Sequence, residues 1–377
     1  MANSKSLGKL VMLVSLLCVP SFAVGPFVVT NDDNPAGNSA TAYTLNTATG
    51  ALTLARVLHT GGRGLGGGLL GSIGVAVASN AHCLFVADTA SNDIAAFVGP
   101  TYNLAGRFSN PAVNFNVNSV GGSIVLAPNG ASLYGAYGGS MNIGAWAVDG
   151  NCSLTFVGAY VPSVGADFFS EVRVAPNGKY VVVSAPDFEA AELFAIGVNG
   201  ELTDRGSVSY AGNSNCAVTG CFPTGIDITR DSKVVVFGNS SGASALTVNV
   251  GRSGFSNPQV WTLTNTANAT GATVPFFAAA GYAGSGALYF GMSSGAVVTT
   301  EFTESPLSIA VTNSTTITQG SPINTIAATG NTLVVAEPTN QIAVFRINSD
   351  GSLTLLENTI DNNAQPGFSL SIYPNTR

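Results

Sequence analysis

Charged side chains are scarce in this sequence. Asp, Glu, Lys and Arg make up 9% of the 377 residues, whereas an ordinary soluble domain has roughly 25%. Basic residues are rarer than acidic ones, with 13 Lys and Arg against 20 Asp and Glu. The formal net charge is therefore −7. Nucleic-acid binding needs clustered Lys and Arg, so we expect no nucleic-acid partner. Folding should depend instead on apolar burial and backbone hydrogen bonds.

Metal-binding patterns are also sparse. The only histidines are His59 and His82, and no two cysteines have the C-x₂-C spacing. Structural zinc sites are built from such residues, so a zinc site is disfavoured and we expect no metal or other cofactor. The run Asp32-Asp33-Asn34 carries oxygen ligands of the kind that Ca²⁺ prefers. It lacks the remaining ligands of a calcium loop, and a polar turn is the other interpretation.

Long apolar runs are missing from the chain beyond its N-terminus. No run there approaches the roughly 20 residues of a membrane helix. At the N-terminus, Lys5 and Lys9 form a basic segment that precedes an apolar stretch, Leu10–Val19, and Pro20-Ser-Phe-Ala23 follows it. This pattern predicts a signal peptide over residues 1–23, cleaved after Ala23; an uncleaved anchor is the alternative. We therefore expect a secreted or periplasmic protein with no membrane span after processing.

Cysteine usage agrees with export. Four cysteines remain beyond the predicted signal peptide, namely Cys83, Cys152, Cys216 and Cys221. An even number of cysteines in an exported chain indicates disulfides. Cys216 and Cys221 enclose only four residues, so we predict a disulfide between them. Cys83 and Cys152 either form a second pair or stay buried free thiols.

An internal repeat organises the remainder of the chain. One apolar strand type occurs seven times, starting at Phe27, Leu84, Leu133, Tyr180, Val234, Leu288 and Leu333. An alternating strand and a turn precede it, as in Glu171-Val-Arg-Val-Ala-Pro-Asn-Gly178, and Asn-Gly is strong hairpin chemistry. A polar turn, a third alternating strand, a second turn and a fourth strand follow. Four hairpin-linked strands per unit make one blade of a β-propeller.

The two ends of the chain indicate a closed ring. The first unit, at Pro26, lacks its opening strand, and the segment Pro366–Pro374 reads as an opening strand with nothing after it. Pairing of these parts would remove two open sheet edges. We therefore predict an all-β fold over residues 24–377. It is a seven-bladed β-propeller of four-stranded antiparallel blades, without helices, closed by the C-terminal strand pairing in the N-terminal blade. An open solenoid is the alternative.

Two enzyme motifs match by pattern only. Gly62–Gly67 satisfies G-x-G-x-x-G, but the dinucleotide motif needs a βαβ unit, and here the next segment is the opening strand of the second blade. G-x-S-x-G occurs at Gly238–Gly242 and Gly291–Gly295, in each case in the turn before a third strand. A nucleophile elbow leads into a helix, so turn chemistry explains both matches.

The repeat units resemble those of YVTN-type propellers and the lactonase family. That family includes 6-phosphogluconolactonase and the carboxymuconate-lactonizing enzyme. The segments that carry the resemblance are Val172–Ser184, Leu84–Ile94 and the hairpins Asn199-Gly-Glu-Leu-Thr203 and Asp350-Gly-Ser-Leu-Thr354. The resemblance implies lactone hydrolysis at a metal-free site. His, Arg and Glu would surround the central pocket there, with arginines holding the substrate carboxylate.

Candidate site residues follow from the blade scheme. The predicted opening strands, which line the channel, carry Glu171, Arg173 and Asp227 as ionisable residues and no histidine. Glu171 and Arg173 are two residues apart and share one side of a strand. Glu171 is thus the candidate base and Arg173 the candidate anion-binding residue, unless they form a structural ion pair. Candidate substrate-binding residues are Asp227 and, in the connection after the first blade, His59 and Arg63.

Two functional hypotheses remain. The favoured one is a secreted, non-catalytic binding or surface protein, because ionisable residues are few near the channel. The alternative is a lactonase-like hydrolase acting on a small lactone or sugar acid. Both allow a small-molecule or carbohydrate ligand, and we expect a monomer.

Overall fold

The computed structural model describes residues 25–66, 74–77, 82–109, 122–137, 142–165, 171–216, 220–240, 243–263, 275–279, 286–318, 322–366 and 368–373. The predicted signal peptide, residues 1–23, lies outside the described residues. Within them, no helix has the length and apolar character needed to cross a membrane.

Backbone hydrogen bonds organise the strands into seven antiparallel sheets of four strands each, one per repeat. Blade one contains β28 (Ser369–Tyr373), β1 (Phe27–Asn31), β2 (Ser39–Leu45) and β3 (Leu52–His59). Blade two contains β4 (Val75–Val77), β5 (Cys83–Asp88), β6 (Asp93–Val98) and β7 (Asn103–Ser109). Blade three contains β8 (Gly122–Leu126), β9 (Ser132–Tyr137), β10 (Ile143–Val148) and β11 (Leu154–Tyr160). Blade four contains β12 (Glu171–Val174), β13 (Tyr180–Ala185), β14 (Ala190–Ile196) and β15 (Leu202–Ser209).

The other three blades repeat this order. Blade five contains β16 (Pro223–Ile228), β17 (Val234–Asn239), β18 (Ser244–Gly251) and β19 (Gly254–Thr262). Blade six contains β20 (Pro275–Ala279), β21 (Ala287–Met292), β22 (Ala296–Glu304) and β23 (Leu307–Thr316). Blade seven contains β24 (Thr325–Thr329), β25 (Thr332–Glu337), β26 (Gln341–Ile347) and β27 (Leu353–Ile360). Among the described residues, the helical structure is limited to one 3₁₀ turn at Pro186–Phe188, which begins with a proline that presets the backbone.

The ring is closed as the sequence predicts. β28, from the C-terminus, pairs with β1 over five residues, from Phe27 opposite Tyr373 to Asn31 opposite Ser369. Each blade's first strand also contacts the first strands of both neighbouring blades, which completes a circle of inner strands. In the described part of the chain, buried apolar side chains form seven clusters, one at each blade interface. The core is therefore divided among the interfaces.

Two disulfides join the four cysteines that lie within the described residues. Cys216 and Cys221 are bonded across the connection between blades four and five. Cys83, the first residue of β5 in blade two, is bonded to Cys152 in the β10–β11 turn of blade three, so the pairing interpretation is correct for them. His82 lies beside this second disulfide and forms with it a group of metal-type ligands. The disulfide already occupies both sulfur atoms.

Candidate functional site

The blade topology sorts the loops onto two faces. Successive strands of a blade run in opposite directions, so the turns between second and third strands lie on the same face as the connections between blades. We call this the connection face. Turns between first and second strands, and between third and fourth strands, lie on the other, which we call the hairpin face.

Glu171 and Arg173 form an ion pair on β12 that also holds the next blade. Arg173 Nε lies 2.6 Å from Glu171 Oε1. The backbone N–H of Ile226 donates to Glu171 Oε2 at 2.7 Å, and Arg173 Nε donates to the Ile226 carbonyl at 3.1 Å. The two side chains are only 3% and 12% exposed. Together they clamp β16 of blade five to blade four.

The position of Glu171 has the same structural use in other blades. Ser123 and Ser369, like Glu171, face the fifth residue of the second strand in their own blades. Ser123 Oγ accepts from the Val172 N–H at 3.3 Å, and Ser369 Oγ accepts from the Gly74 N–H at 2.9 Å. Each of these side chains therefore bonds the backbone of the following blade. Glu171 performs this role with a carboxylate that Arg173 neutralises.

Asp227 occupies in blade five the position that Arg173 occupies in blade four. Asp227 pairs with Val236 and Arg173 with Val182, which are the third residues of their second strands. Asp227 is buried, and its Oδ1 accepts from the N–H of Ile228 at 2.7 Å. The structure thus places Glu171, Arg173 and Asp227 on two neighbouring inner strands.

His59 and Arg63 lie elsewhere on the ring. His59 is the exposed last residue of β3, opposite Ser39, and so belongs to the outermost strand of blade one. This corrects its predicted place in the connection, because the fourth strand extends further than the repeat pattern indicates. Arg63 does lie in the connection between blades one and two, with an exposed side chain. His59 belongs to blade one, which is three places from blades four and five around the ring, and Arg63 lies in the connection that follows it.

A hydrogen-bonded glycine loop presents Arg63 on the connection face. The Asp33 carboxylate accepts from the N–H groups of Leu65 at 2.8 Å and Gly66 at 3.1 Å. Arg63 donates its N–H to Ser91 Oγ at 2.8 Å, and its carbonyl accepts from the Ala90 N–H at 3.0 Å.

Close packing explains the glycines in this loop. A Cβ atom at Gly62 would collide with the Asp88 carboxylate, and one at Gly64 would collide with the Asp33 backbone. The first two glycines of the G-x-G-x-x-G match are thus required by the packing of an interblade connection, and the third, Gly67, lies outside the described residues. Asp33 likewise acts as part of a polar turn, which is the second interpretation of the Asp32-Asp33-Asn34 run.

Asp32 is the centre of a buried polar network beside this loop. Ser39 and Thr41 donate to its Oδ2 at 2.6 and 2.8 Å, and Thr30 donates to its Oδ1 at 2.5 Å. The same Thr30 hydroxyl lies 3.1 Å from Asp361 Oδ2. Burial first, and then the nearby charge of Asp361, raise the pKa of Asp32 from 3.8 to about 7.

Two further carboxyl groups share this behaviour. Asp88 accepts from Thr60 at 2.7 Å and from Asn38 at 2.8 Å, and burial raises its pKa to about 7. Glu192, on β14, accepts from Ser163 Oγ at 2.7 Å, and burial with the neighbouring Asp204 raises its pKa to about 7. Asp32 directly follows the repeat strand of blade one, and Asp88 ends that of blade two, so an acidic residue at this repeat position is a signal in the sequence. Glu192 and Asp361 were missed; the signal for Glu192 is a charged residue within an apolar strand pattern.

Comparison with known proteins places the fold. No protein-family model matches the chain, and no curated protein matches its sequence. Among solved structures, the periplasmic gluconolactonase PpgL of Pseudomonas aeruginosa is 13% identical with a TM-score of 0.69, covering 93% of this chain and 100% of that one. A putative 6-phosphogluconolactonase from Bacteroides fragilis is 15% identical with a TM-score of 0.68, covering 93% and 99%. A second putative 6-phosphogluconolactonase, from Bacteroides uniformis, is 10% identical with a TM-score of 0.71, covering 92% and 98%.

These similarities show the fold. The chain is a seven-bladed β-propeller of the architecture that gluconolactonase-like proteins have, and the resemblance inferred from the repeat is confirmed at this level. A propeller serves many functions, so activity has to be argued from the side chains of this chain.

Proposed function

We propose that this chain is a secreted or periplasmic propeller that binds a small-molecule or carbohydrate ligand and does not hydrolyse lactones. The predicted signal peptide and the two disulfides support export, since disulfides persist in oxidising compartments. We expect it to act as a monomer, without nucleic acid.

One observation carries the non-catalytic part of this proposal. Glu171 and Arg173 neutralise each other, and both are bonded to the backbone of Ile226. A general base must reach the proton that it removes, and an anion-binding arginine must turn its N–H groups toward the substrate. Glu171 cannot do so without breaking its bond to blade five, and Arg173 is held through its Nε by both Glu171 and Ile226, with Glu171 offsetting its charge.

Binding is better supported at the seam between blades one and two. There the exposed Arg63 projects from a loop that Asp33, Ser91 and Ala90 fix by hydrogen bonds. A preorganised loop loses little conformational entropy on binding. We propose Arg63 as the primary ligand contact, with His59 at the rim of the same face. Asp227 is buried on the inner strand of blade five and is not part of this site.

A lactonase-like hydrolase is the second candidate, because three similar structures are named as gluconolactonases or putative 6-phosphogluconolactonases. In this reading Arg173 binds the substrate carboxylate, Glu171 acts as the base, and Asp227 orients the substrate from the next strand. It requires the Glu171–Arg173 pair to open when substrate binds.

Arg173→Ala separates the two candidates. We expect no hydrolysis above buffer by wild-type protein across a panel of γ- and δ-lactones, measured by proton release. We also expect Arg173→Ala to lower the free energy of unfolding by about 3 kcal/mol, because it leaves Glu171 buried without its cation. Arg205→Ala, an exposed arginine on β15 of the same blade, is the matched control and should be neutral.

The opposite pattern would support the hydrolase. Lactone turnover that Arg173→Ala abolishes and Arg205→Ala retains, with both variants folded, overturns the non-catalytic proposal. Binding is tested separately by titrating neutral and acidic sugars into wild-type protein and Arg63→Ala. No loss of affinity in Arg63→Ala removes the seam between blades one and two as the binding site.

A further inference from the structure

A cleft of about 420 Å³ opens on the hairpin face between blades seven and one. The β24–β25 turn, Thr329–Thr332, forms one wall. Thr47 and Ala48, in the β2–β3 turn, form the other, and Pro26 and Arg346 complete the lining. The cleft lies on the face opposite to Arg63 and the buried carboxylates, so an inference about it does not rest on the function proposed above.

The chemistry of the cleft is that of an anion site with hydroxyl groups. Arg346, at the end of β26, is the one charged side chain of the lining. Its Nη2 donates to the Ala48 carbonyl at 3.0 Å, which fixes the guanidinium across the seam. A guanidinium has five N–H donors in a planar fork, and this bond uses one of them. Thr329 and Thr332, also in the lining, are only 7% and 2% exposed.

The walls are held in place before any ligand arrives. Asn46 Oδ1 accepts from the N–H groups of Ala48 at 3.0 Å and Thr49 at 3.3 Å. On the blade-seven side, the Asn331 carbonyl accepts from the Ile347 N–H at 2.8 Å. Gly50 packs so tightly against Leu356 that a Cβ atom there would collide with it. The cleft therefore has a defined shape, which lowers the entropic cost of binding.

We propose that this cleft binds a small carboxylate that carries hydroxyl groups, with Arg346 as the anion-binding residue. Arginine recognises carboxylates through paired N–H donors. Threonine hydroxyls and the Asn331 amide both donate and accept hydrogen bonds, and this suits a polyhydroxylated ligand. Small-ligand pockets measure about 300–1,000 Å³, so the cleft has room for a sugar acid of one ring.

Titration calorimetry with glucuronate as the probe, and glucose as its neutral counterpart, tests this site. We expect glucuronate to bind and glucose to bind at least tenfold more weakly. Arg346→Ala should lose tenfold or more in affinity, Arg346→Lys should lose less, and Thr47→Val, at an exposed threonine of the lining, should lose about threefold.

Arg56→Ala is the matched control. Arg56 is also an exposed arginine whose guanidinium donates to a carbonyl of the next blade, that of Thr101, but it does not line the cleft. The Arg56→Ala substitution removes the same charge and the same kind of interblade bond as Arg346→Ala. It should leave the affinity for glucuronate unchanged. Circular dichroism and thermal unfolding establish that each variant is folded.

Three results would overturn the proposal. The first is the absence of glucuronate binding at millimolar concentration. The second is an equal loss in Arg56→Ala and Arg346→Ala, which would indicate a general charge effect. The third is a loss in Arg63→Ala alone, which would place binding at the seam between blades one and two and would leave the function proposed above intact.

Discussion

Asp32 shows how burial sets the chemistry of a single residue in this protein. Its two oxygens accept three hydroxyl hydrogen bonds, yet the side chain is fully buried and its pKa is raised to about 7. An unfolded aspartate titrates near 3.8. Between these two values the folded chain holds a proton that the unfolded chain releases. Asp32 therefore contributes stability below pH 4 that is lost as pH rises toward 7.

Asp32→Asn mimics the protonated form without changing its shape. Its amide oxygen can accept from Ser39 and Thr41, and its NH₂ group can donate to Thr30, whose hydroxyl then turns to Asp361. We expect the variant to be more stable than wild type at pH 8. Between pH 4 and 7, the free energy of unfolding should also fall less steeply with pH in the variant than in wild type. The two slopes should differ by up to about 1.4 kcal/mol per pH unit. Urea unfolding from pH 4 to 8 measures both effects.

Asp350→Asn is the control for Asp32→Asn. Asp350 is exposed, and its hydrogen bonds with Ser352 lower its pKa below 3.8. Its contribution to stability is therefore lost only as pH falls through that lower pKa, and the slope above pH 5 should not change. Equal slopes in wild type and Asp32→Asn would refute the role assigned to Asp32.

Strands and turns were the part that the sequence could predict. The seven predicted strand copies are the second strands of the seven blades, beginning within one residue of their predicted starts. The Asn-Gly turns also form, with Gly130 and Gly178 at positive φ of 72° and 68°. These features depend on local periodicity and backbone preference, which a single repeat contains in full.

Side-chain roles could not be predicted in the same way, because their partners lie in other blades. The spacing of Glu171 and Arg173 was enough to pair them with each other. Their hydrogen bonds to Ile226 span 55 positions for Glu171 and 53 for Arg173, and no local pattern indicates them. Thr30 meets Asp361 across 331 positions. Only the circular arrangement brings these residues together, so repeat periodicity identifies the elements and leaves the contacts between them open.

At the scale of elements, the Cys83–Cys152 disulfide ties blade two to blade three. It closes a loop of 69 residues, whereas Cys216–Cys221 spans five. Loop-closure entropy grows with loop length. We expect the double variant Cys83→Ser/Cys152→Ser to lose about 4 kcal/mol of stability and the control Cys216→Ser/Cys221→Ser about half as much. Guanidinium unfolding of both variants gives the comparison, and equal losses would show that loop length does not govern it.

At the scale of the whole molecule, closure rests on one short strand. β28 supplies the inner edge of blade one, and Phe368, Leu370 and Ile372 pack into the cluster between blades seven and one. A chain ending at Gln365 would expose one side of that cluster and the free edge of β1, because β28 is the described strand that pairs with this edge. We expect it to unfold at a lower temperature and to bind the dye ANS, and a synthetic peptide of residues 366–377 to reverse both changes. A peptide of the same composition in scrambled order is the control. If the truncated chain unfolds at the wild-type temperature, the ring does not depend on β28, and the blade interfaces alone hold the propeller.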